Sequence, residues 1–164
     1  MMQIIADYFE RLAAAHKKIN HSKEHIHFAY LEDQKQSLLA DTMEFPFLEF
    51  SHGGYTIVGS PVNWSKRYQC QLTLTAHAED SGDSALIERI ISEMEGIMDD
   101  ILGQMLSDKR QGKMKYLRGV NITNATVTPV QNVDATLYGC TVAIAIDVPW
   151  CPTPSEDAFD TDKL

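Results

Sequence analysis

Residues 67–78 alternate apolar and polar side chains without a break, and residues 136–149 repeat the pattern. Tyr68, Cys70, Leu72, Leu74, Ala76 and Ala78 fall on one side, with Gln69, Gln71, Thr73, Thr75 and His77 on the other. A period of two over this length is the mark of a strand with one buried face. In the second stretch Tyr138, Cys140, Val142, Ile144, Ile146 and Val148 face inward. They stand opposite Gly139, Thr141, Ala143, Ala145 and Asp147, a face small enough to suggest a cover of its own. Two such strands cannot bury their faces alone, so the rest of the chain must supply a layer that covers them.

Two segments have the period to do so. Residues 84–107 carry Leu86, Ile87, Ile90, Ile91, Met94, Ile97, Met98, Ile101, Leu102, Met105 and Leu106 as one broad stripe at helical spacing. Asp83 or Ser84 supplies an N-cap, and Lys109, Arg110 and Gly112 supply the C-terminal chemistry. Residues 2–18 form a second helix, with Ile4, Ile5, Tyr8, Phe9, Leu12 and Ala13 on its apolar face. Between them, 26–30 reads as a half-buried strand and 43–51 as an extended segment, placed at a sheet edge because Pro46 has no N–H to donate. Gly53-Gly54 signals a turn into a partner strand at 55–58, and 59–64 a loop. Residues 33–42 are polar around Leu38 and Leu39, and 117–131 read as one Val/Ile/Thr-rich strand. The order α-β-β-β-β-α-β-β predicts one α+β domain over 1–151, an antiparallel sheet with both helices packed on one face. The acidic, Pro-bearing stretch 152–164 reads as a disordered tail.

The charge argues against several classes of partner. A net charge of −9 disfavours specific binding to nucleic-acid phosphates, which need a positive surface. No apolar run approaches the ~20 residues of a membrane span, and Asp7, Glu10 and Arg11 interrupt the stretch where a secretory signal would be apolar. Cys70, Cys140 and Cys151 are an odd set without CxxC spacing, so neither a disulfide framework nor a zinc knuckle is written, and a reducing, intracellular site of folding fits. Cys70 and Cys140 fall on buried strand phases, whereas Cys151 is accessible.

Chemistry is sparse. His16, His21, His25 and His27 crowd into twelve residues, yet no Cys joins them and the nearby Glu24 and Glu32 point ambiguously, so solvent-facing histidines are favoured over a metal site. No G-x-S-x-G turn is present. Gly53-Gly54 opens no helix, so no phosphate-binding loop is present. Asp99-Asp100 sit on the polar face of the long helix as solvating charges. The chain therefore reads as non-enzymatic and without a cofactor.

One feature of the long helix stands out. At about 100° per residue, Ser92, Gly96 and Gly103 fall on the side opposite the apolar stripe. Glycine in a helix interior costs about 1 kcal/mol against alanine, so two on an outward face are either tolerated surface glycines or sites of close approach by another backbone. Residues 109–118 are the chain's one basic segment, with Lys109, Arg110, Lys113, Lys115 and Arg118 and no acid. The plain reading is that two of these cations complement the helix C-terminus and the rest decorate a loop; the alternative is a contact with an acidic partner, including a second copy. Ser92, Gly96, Gly103 and these five cations are the candidate self-association residues.

The order of elements and several strings resemble the tail terminator, or tail-completion, proteins of long-tailed bacteriophages. The matching pieces are the helix at 2–18, Phe-Pro-Phe-Leu-Glu-Phe at 45–50, the long helix, and the last strand entered through Asp134-Ala-Thr-Leu-Tyr138-Gly139-Cys140, where Gly-Trp is usual in the family. The resemblance spans most of 1–150 and rests on pattern. It implies a small α+β subunit that closes into a ring capping the tail tube, with other tail or head–tail connector proteins as partners. It places the protein in the virion, or in the bacterial cytoplasm during assembly. An acidic balance suits a ring through which DNA slides. The alternative is a stand-alone bacterial binding or adaptor domain.

Overall fold

The computed structural model describes residues 2–31, 42–60, 63–80, 82–113, 119–122, 125–132 and 136–152. Helix α1 (Met2–Ala15) is followed by strands β1 (Ile26–Leu31), β2 (Met43–Ser60) and β3 (Asn63–His77). Then come the long helix α2 (Ser84–Arg110) and strands β4 (Val120–Asn121), β5 (Val127–Asn132) and β6 (Leu137–Pro149). The sheet runs β1-β2-β3-β6-β4, with β5 also on β6. The segment at 33–41, most of the tail at 153–164, and the string at 133–135 lie outside the described residues.

The alternation fixes the register. Leu48, Leu74 and Cys140 stand opposite one another across β2, β3 and β6, and Phe50, Leu72 and Val142 form the next row. All six are buried in one cluster with Ile5 and Phe9 of α1 and Ile97, Met98 and Ile101 of α2. Both helices therefore cover one face of the sheet, as expected for this α+β class. Each fully buried Leu, Ile or Phe contributes roughly 1.5–3 kcal/mol, so these rows dominate stability. The helices run in opposite directions: Tyr8 meets Asp108 near the end of α2, whereas Lys18, just past α1, meets Glu93 earlier in it. Asp83 caps α2 by accepting hydrogen bonds from the amides of Ala85 and Leu86, each at 3.0 Å.

The opposite face is polar along β3 and β6. Thr73 and Thr141 share a hydroxyl hydrogen bond at 3.1 Å, and Arg67 forms a two-pronged pair with Asp147 at 2.7 Å on each prong. That pairing pulls the Asp147 carboxyl below its ordinary range, hydrogen bonding outweighing the cost of partial burial. The cover anticipated for the small residues of β6 is missing at Ala143, which is exposed. Gly139 is small for a different reason: a Cβ there would sit 1.9 Å from the Leu74 carbonyl oxygen on the neighbouring strand.

Four expectations need correction. The pair β1–β2 is parallel, while every other described pair is antiparallel, because β2 starts at the same end of the sheet as β1, with Met43 beside Ile26. Strand β2 is interior, not an edge. Pro46 is tolerated because the β1 register shifts between Ile26 and Phe28, opposite Met43 and Leu48, and His27 Nδ1 hydrogen-bonds the Pro46 carbonyl at 3.0 Å inside that gap. Gly53-Gly54 makes no turn: β2 runs through it with a register shift between His52 and Tyr55, so the glycines mark a bulge. The reversal comes later, between Ser60 and Asn63. Finally, the strand expected over 117–131 is divided into β4 and β5, both laid along β6 with a break between them.

Candidate self-association surfaces

The outward face of α2 is where the helical spacing placed it. Ser92, Gly96 and Gly103 are exposed, and a Cβ at either glycine would meet nothing within 4 Å. The sequence reading missed the second wall. The C-terminal end of α1 and the turn after it approach α2 and leave a groove of about 1120 Å³ beside Gly96, floored by Leu12, Ile97 and Ile101. Two polar ties set its width, Lys18 to Glu93 at 2.7 Å and His16 to Asp100 at 3.3 Å. Both are exposed on at least one side, where such pairs contribute at most about 1 kcal/mol.

The basic segment is divided in its role. Lys109 donates to the carbonyl of Val120, and Lys113 reaches Asp108 at 3.4 Å. These two cations hold the end of α2 against β4 and its own last turn. Arg110 is exposed and donates from Nε to the Leu106 carbonyl. Lys115 and Arg118 lie outside the described residues. Asp108 is the buried centre of this corner, accepting from Tyr8 Oη at 3.0 Å and Gln104 Nε2 at 2.9 Å. Burial pushes its carboxyl up, but the hydrogen bonds from Tyr8, Gln104 and Lys113 outweigh that and hold it below the usual carboxylate range.

A second surface follows from the bulge at Gly53-Gly54. Strand β1 accompanies β2 only as far as Ser51, whereas β2 continues to Ser60 with β3 as its partner. The distal part of the β2–β3 hairpin is thus an arm beyond the β1 edge. It exposes Tyr55 at 51% and Ile57 at 47%, both large apolar side chains. Tyr55 lies against Tyr68 with ring centroids 5.3 Å apart, and Lys66 Nζ sits 4.5 Å over the Tyr55 ring and 5.4 Å from that of Trp150. Successive ring contacts link the arm to the core: Phe9 to Phe50 at 5.1 Å, Phe50 to Tyr30 at 5.6 Å, Tyr30 to His52 at 5.8 Å and His52 to Tyr68 at 6.0 Å. Such contacts contribute about 0.5–1.5 kcal/mol each beyond area burial, so the arm is braced.

The histidines of the stretch 16–27 make contacts within the subunit. His25 Nδ1 lies 3.0 Å from Glu44, and His27, expected at the surface, is buried with Nε2 3.6 Å from the same carboxylate. His21 Nδ1 accepts from the His27 amide while its Nε2 faces Glu10 at 3.4 Å. Among the described residues no group of three His, Cys, Asp or Glu is placed to hold a metal ion, and no helix is long and apolar enough to cross a membrane. Cys70 and Cys140 are buried, and burial pushes both thiols up to about 12; Cys151 is exposed. Comparison of the chain with models of known protein families and with curated proteins found no match in either.

Proposed function

We propose that the protein is a non-enzymatic structural subunit that works by self-association, as a tail terminator-like ring component at the junction of a phage tail and head. The observation that carries this reading is the outward face of α2. Two glycines stand in the interior of a 27-residue helix with open space where their side chains would be. Helix propensity disfavours them by about 1 kcal/mol each relative to alanine, while close packing by another subunit would favour them. The resemblance of the sequence to tail terminator proteins suggests the biological context, and tail or head–tail connector proteins are the further partners it implies. A heterologous contact between two different patches of one subunit closes into a ring when its rotation permits.

Light scattering on the purified chain, with electron microscopy of the product, tests this. A closed oligomer of defined mass is expected, and Gly96→Arg should prevent it while leaving thermal melting nearly unchanged. A chain that stays monomeric alone and beside assembled tail tubes would refute the reading and favour a stand-alone adaptor.

A further inference from the structure

Resting on the self-association reading, we infer that the groove between α1 and α2 receives the acidic stretch 153–164 of a second copy, with Phe159 on its apolar floor. The groove is a cationic site in a protein whose net charge is −9. Lys17, Lys18 and Arg89 line it against Glu93 and Asp100. Both acids are engaged within the subunit, Glu93 by Lys18 at 2.7 Å and Asp100 by His16 at 3.3 Å. Lys17 and Arg89 are exposed, and among the described residues no hydrogen bond or ion pair occupies either. Of the other acids on α2, Asp108 is buried in its corner. Glu95 and Asp99 lie on the far flank, where their charge acts on Cys140, and Glu88, two turns before Glu95, shares that flank. Two unengaged cations beside the apolar Leu12, Ile97 and Ile101 suit an occupant that carries acids around an apolar side chain. The stretch 153–164 has that composition, with Glu156, Asp157, Asp160 and Asp162 around Phe159 and Lys163 as its one base.

Reach selects the second copy. Because Glu95 and Asp99 act on Cys140, the turn of α2 that holds Gly96 and Ile97 lies over the start of β6. Trp150 continues the line of β6 by donating its amide to the Trp64 carbonyl at 3.0 Å. At a rise of about 3.3 Å per residue, Trp150 stands about 33 Å from the Cys140 row. The nine residues from Trp150 to Phe159 span at most about 32 Å fully extended. The groove lies a further ~10 Å off the sheet, on the helix layer. A subunit's own Phe159 therefore falls short of its own Ile97, and the Phe159 of a neighbour has no such limit. Shape agrees with charge. Gly96 offers no side chain to hold an incoming ring away from the helix. The volume of about 1120 Å³ exceeds the ~300–1,000 Å³ of ordinary small-molecule pockets, so it has room for a chain segment. Acidic stretch and groove are different patches, so the contact is head-to-tail.

The test uses the full chain, with light scattering for association and thermal melting for the fold. Phe159→Ser should weaken self-association by about tenfold or more, the effect of losing one interface anchor. Lys17→Glu with Arg89→Glu should weaken it likewise, and adding Asp157→Lys and Asp160→Lys to that chain should restore it. Melting of the dissociated subunit should stay unchanged, because Lys17 and Arg89 are exposed. In a Cys151→Ser background, Gly96→Cys and Ala158→Cys chains mixed in air should form a disulfide-linked pair of unlike chains. Association unchanged in Phe159→Ser and in the Lys17→Glu, Arg89→Glu chain would overturn this contact while leaving self-association intact. Loss without charge-swap rescue would overturn the groove as the receiver of the acidic stretch. A chain carrying both cysteines that closes an internal disulfide as a monomer would overturn the second copy as donor. A wild-type chain that never associates would overturn both readings together.

Discussion

Removing the Tyr8 hydroxyl tests how the two helices are held together. Tyr8 is 1% exposed, and its Oη donates at 3.0 Å to Oδ2 of Asp108 across the α1–α2 contact. Gln104 and Lys113 both approach the other carboxylate oxygen. In Tyr8→Phe the ring still fills its site, so the change isolates one hydrogen bond to a buried charged group. Such bonds are worth about 1.5–3 kcal/mol, and about 2 kcal/mol is expected here at pH 7. For a chain of this size that lowers Tm by about 4–8 °C. The pH dependence gives the sharper check. The folded carboxyl of Asp108 is held below its unfolded value near 3.9. Its stabilisation is therefore complete above that value and is lost as pH falls through the folded one. Denaturant unfolding of wild type and variant should differ by the full amount at neutral pH and converge as pH falls through the folded value of the Asp108 carboxyl. Asp108→Asn should close most of the gap in a double-mutant cycle, with a coupling of at least about 1 kcal/mol. A gap that stays constant as pH falls until the Asp108 carboxyl is protonated, or a coupling near zero, would refute the account, because the loss would then come from packing.

The remaining predictions concern single positions. Gly139→Ala should destabilise by about 1–3 kcal/mol or more, since its Cβ would lie 1.9 Å from backbone that cannot swing aside; unchanged melting would mean that β3 and β6 are spaced more loosely than described. Gly96→Ala should do the reverse, raising stability of the dissociated subunit by about 0.5–1 kcal/mol through helix propensity alone, and a loss of stability would place another group against that face within the subunit. In the native state an alkylating reagent should modify Cys151 quickly, and should reach Cys70 and Cys140 only after unfolding. Burial both shields those two thiols and pushes them up to about 12. Rapid modification of all three would contradict the buried strand phases.

The layers were legible in the sequence because burial writes a period into a chain. Alternation at 67–78 and 136–149 and the 3.6-residue stripe of α2 gave the inward faces correctly, since each depends on side chains that touch one core. Connections are governed by weaker signals, and the errors gather there. Gly53-Gly54 carries the same local signature whether the chain reverses or bulges, because both need backbone freedom without a side chain. Only the pairing of Tyr55 with Tyr68, and of the residues beyond with the first half of β3, decides between them. Pro46 likewise reads as an edge signal, and His27 overrides it from nineteen residues away by bonding the Pro46 carbonyl where the β1 register shifts. No local pattern contains that partner.

The same reasoning explains why half of the candidate interface was visible and half was not. The glycines of α2 violate a propensity rule on a face defined by a strong period, so they stand out from sequence alone. The arm exists only because β2 is continuous past the end of β1, and once Gly53-Gly54 is taken as a turn, Tyr55 and Ile57 look like ordinary inward residues of a short strand. A usable signal was present in charge rather than hydropathy: twenty-nine consecutive residues, Phe50 to Ala78, without one acid in a chain that has 23. Strands buried on one face still have a solvent face, and in so acidic a protein that face would be expected to share the surplus. Over this length the hairpin carries none of it. Thr56→Glu or Val58→Glu, on the arm's other face, should leave association nearly intact, whereas Lys66→Glu, beside the exposed Tyr55 and Ile57, should weaken it. Equal losses at all three positions would show that the arm avoids acids for its own folding and not for a partner.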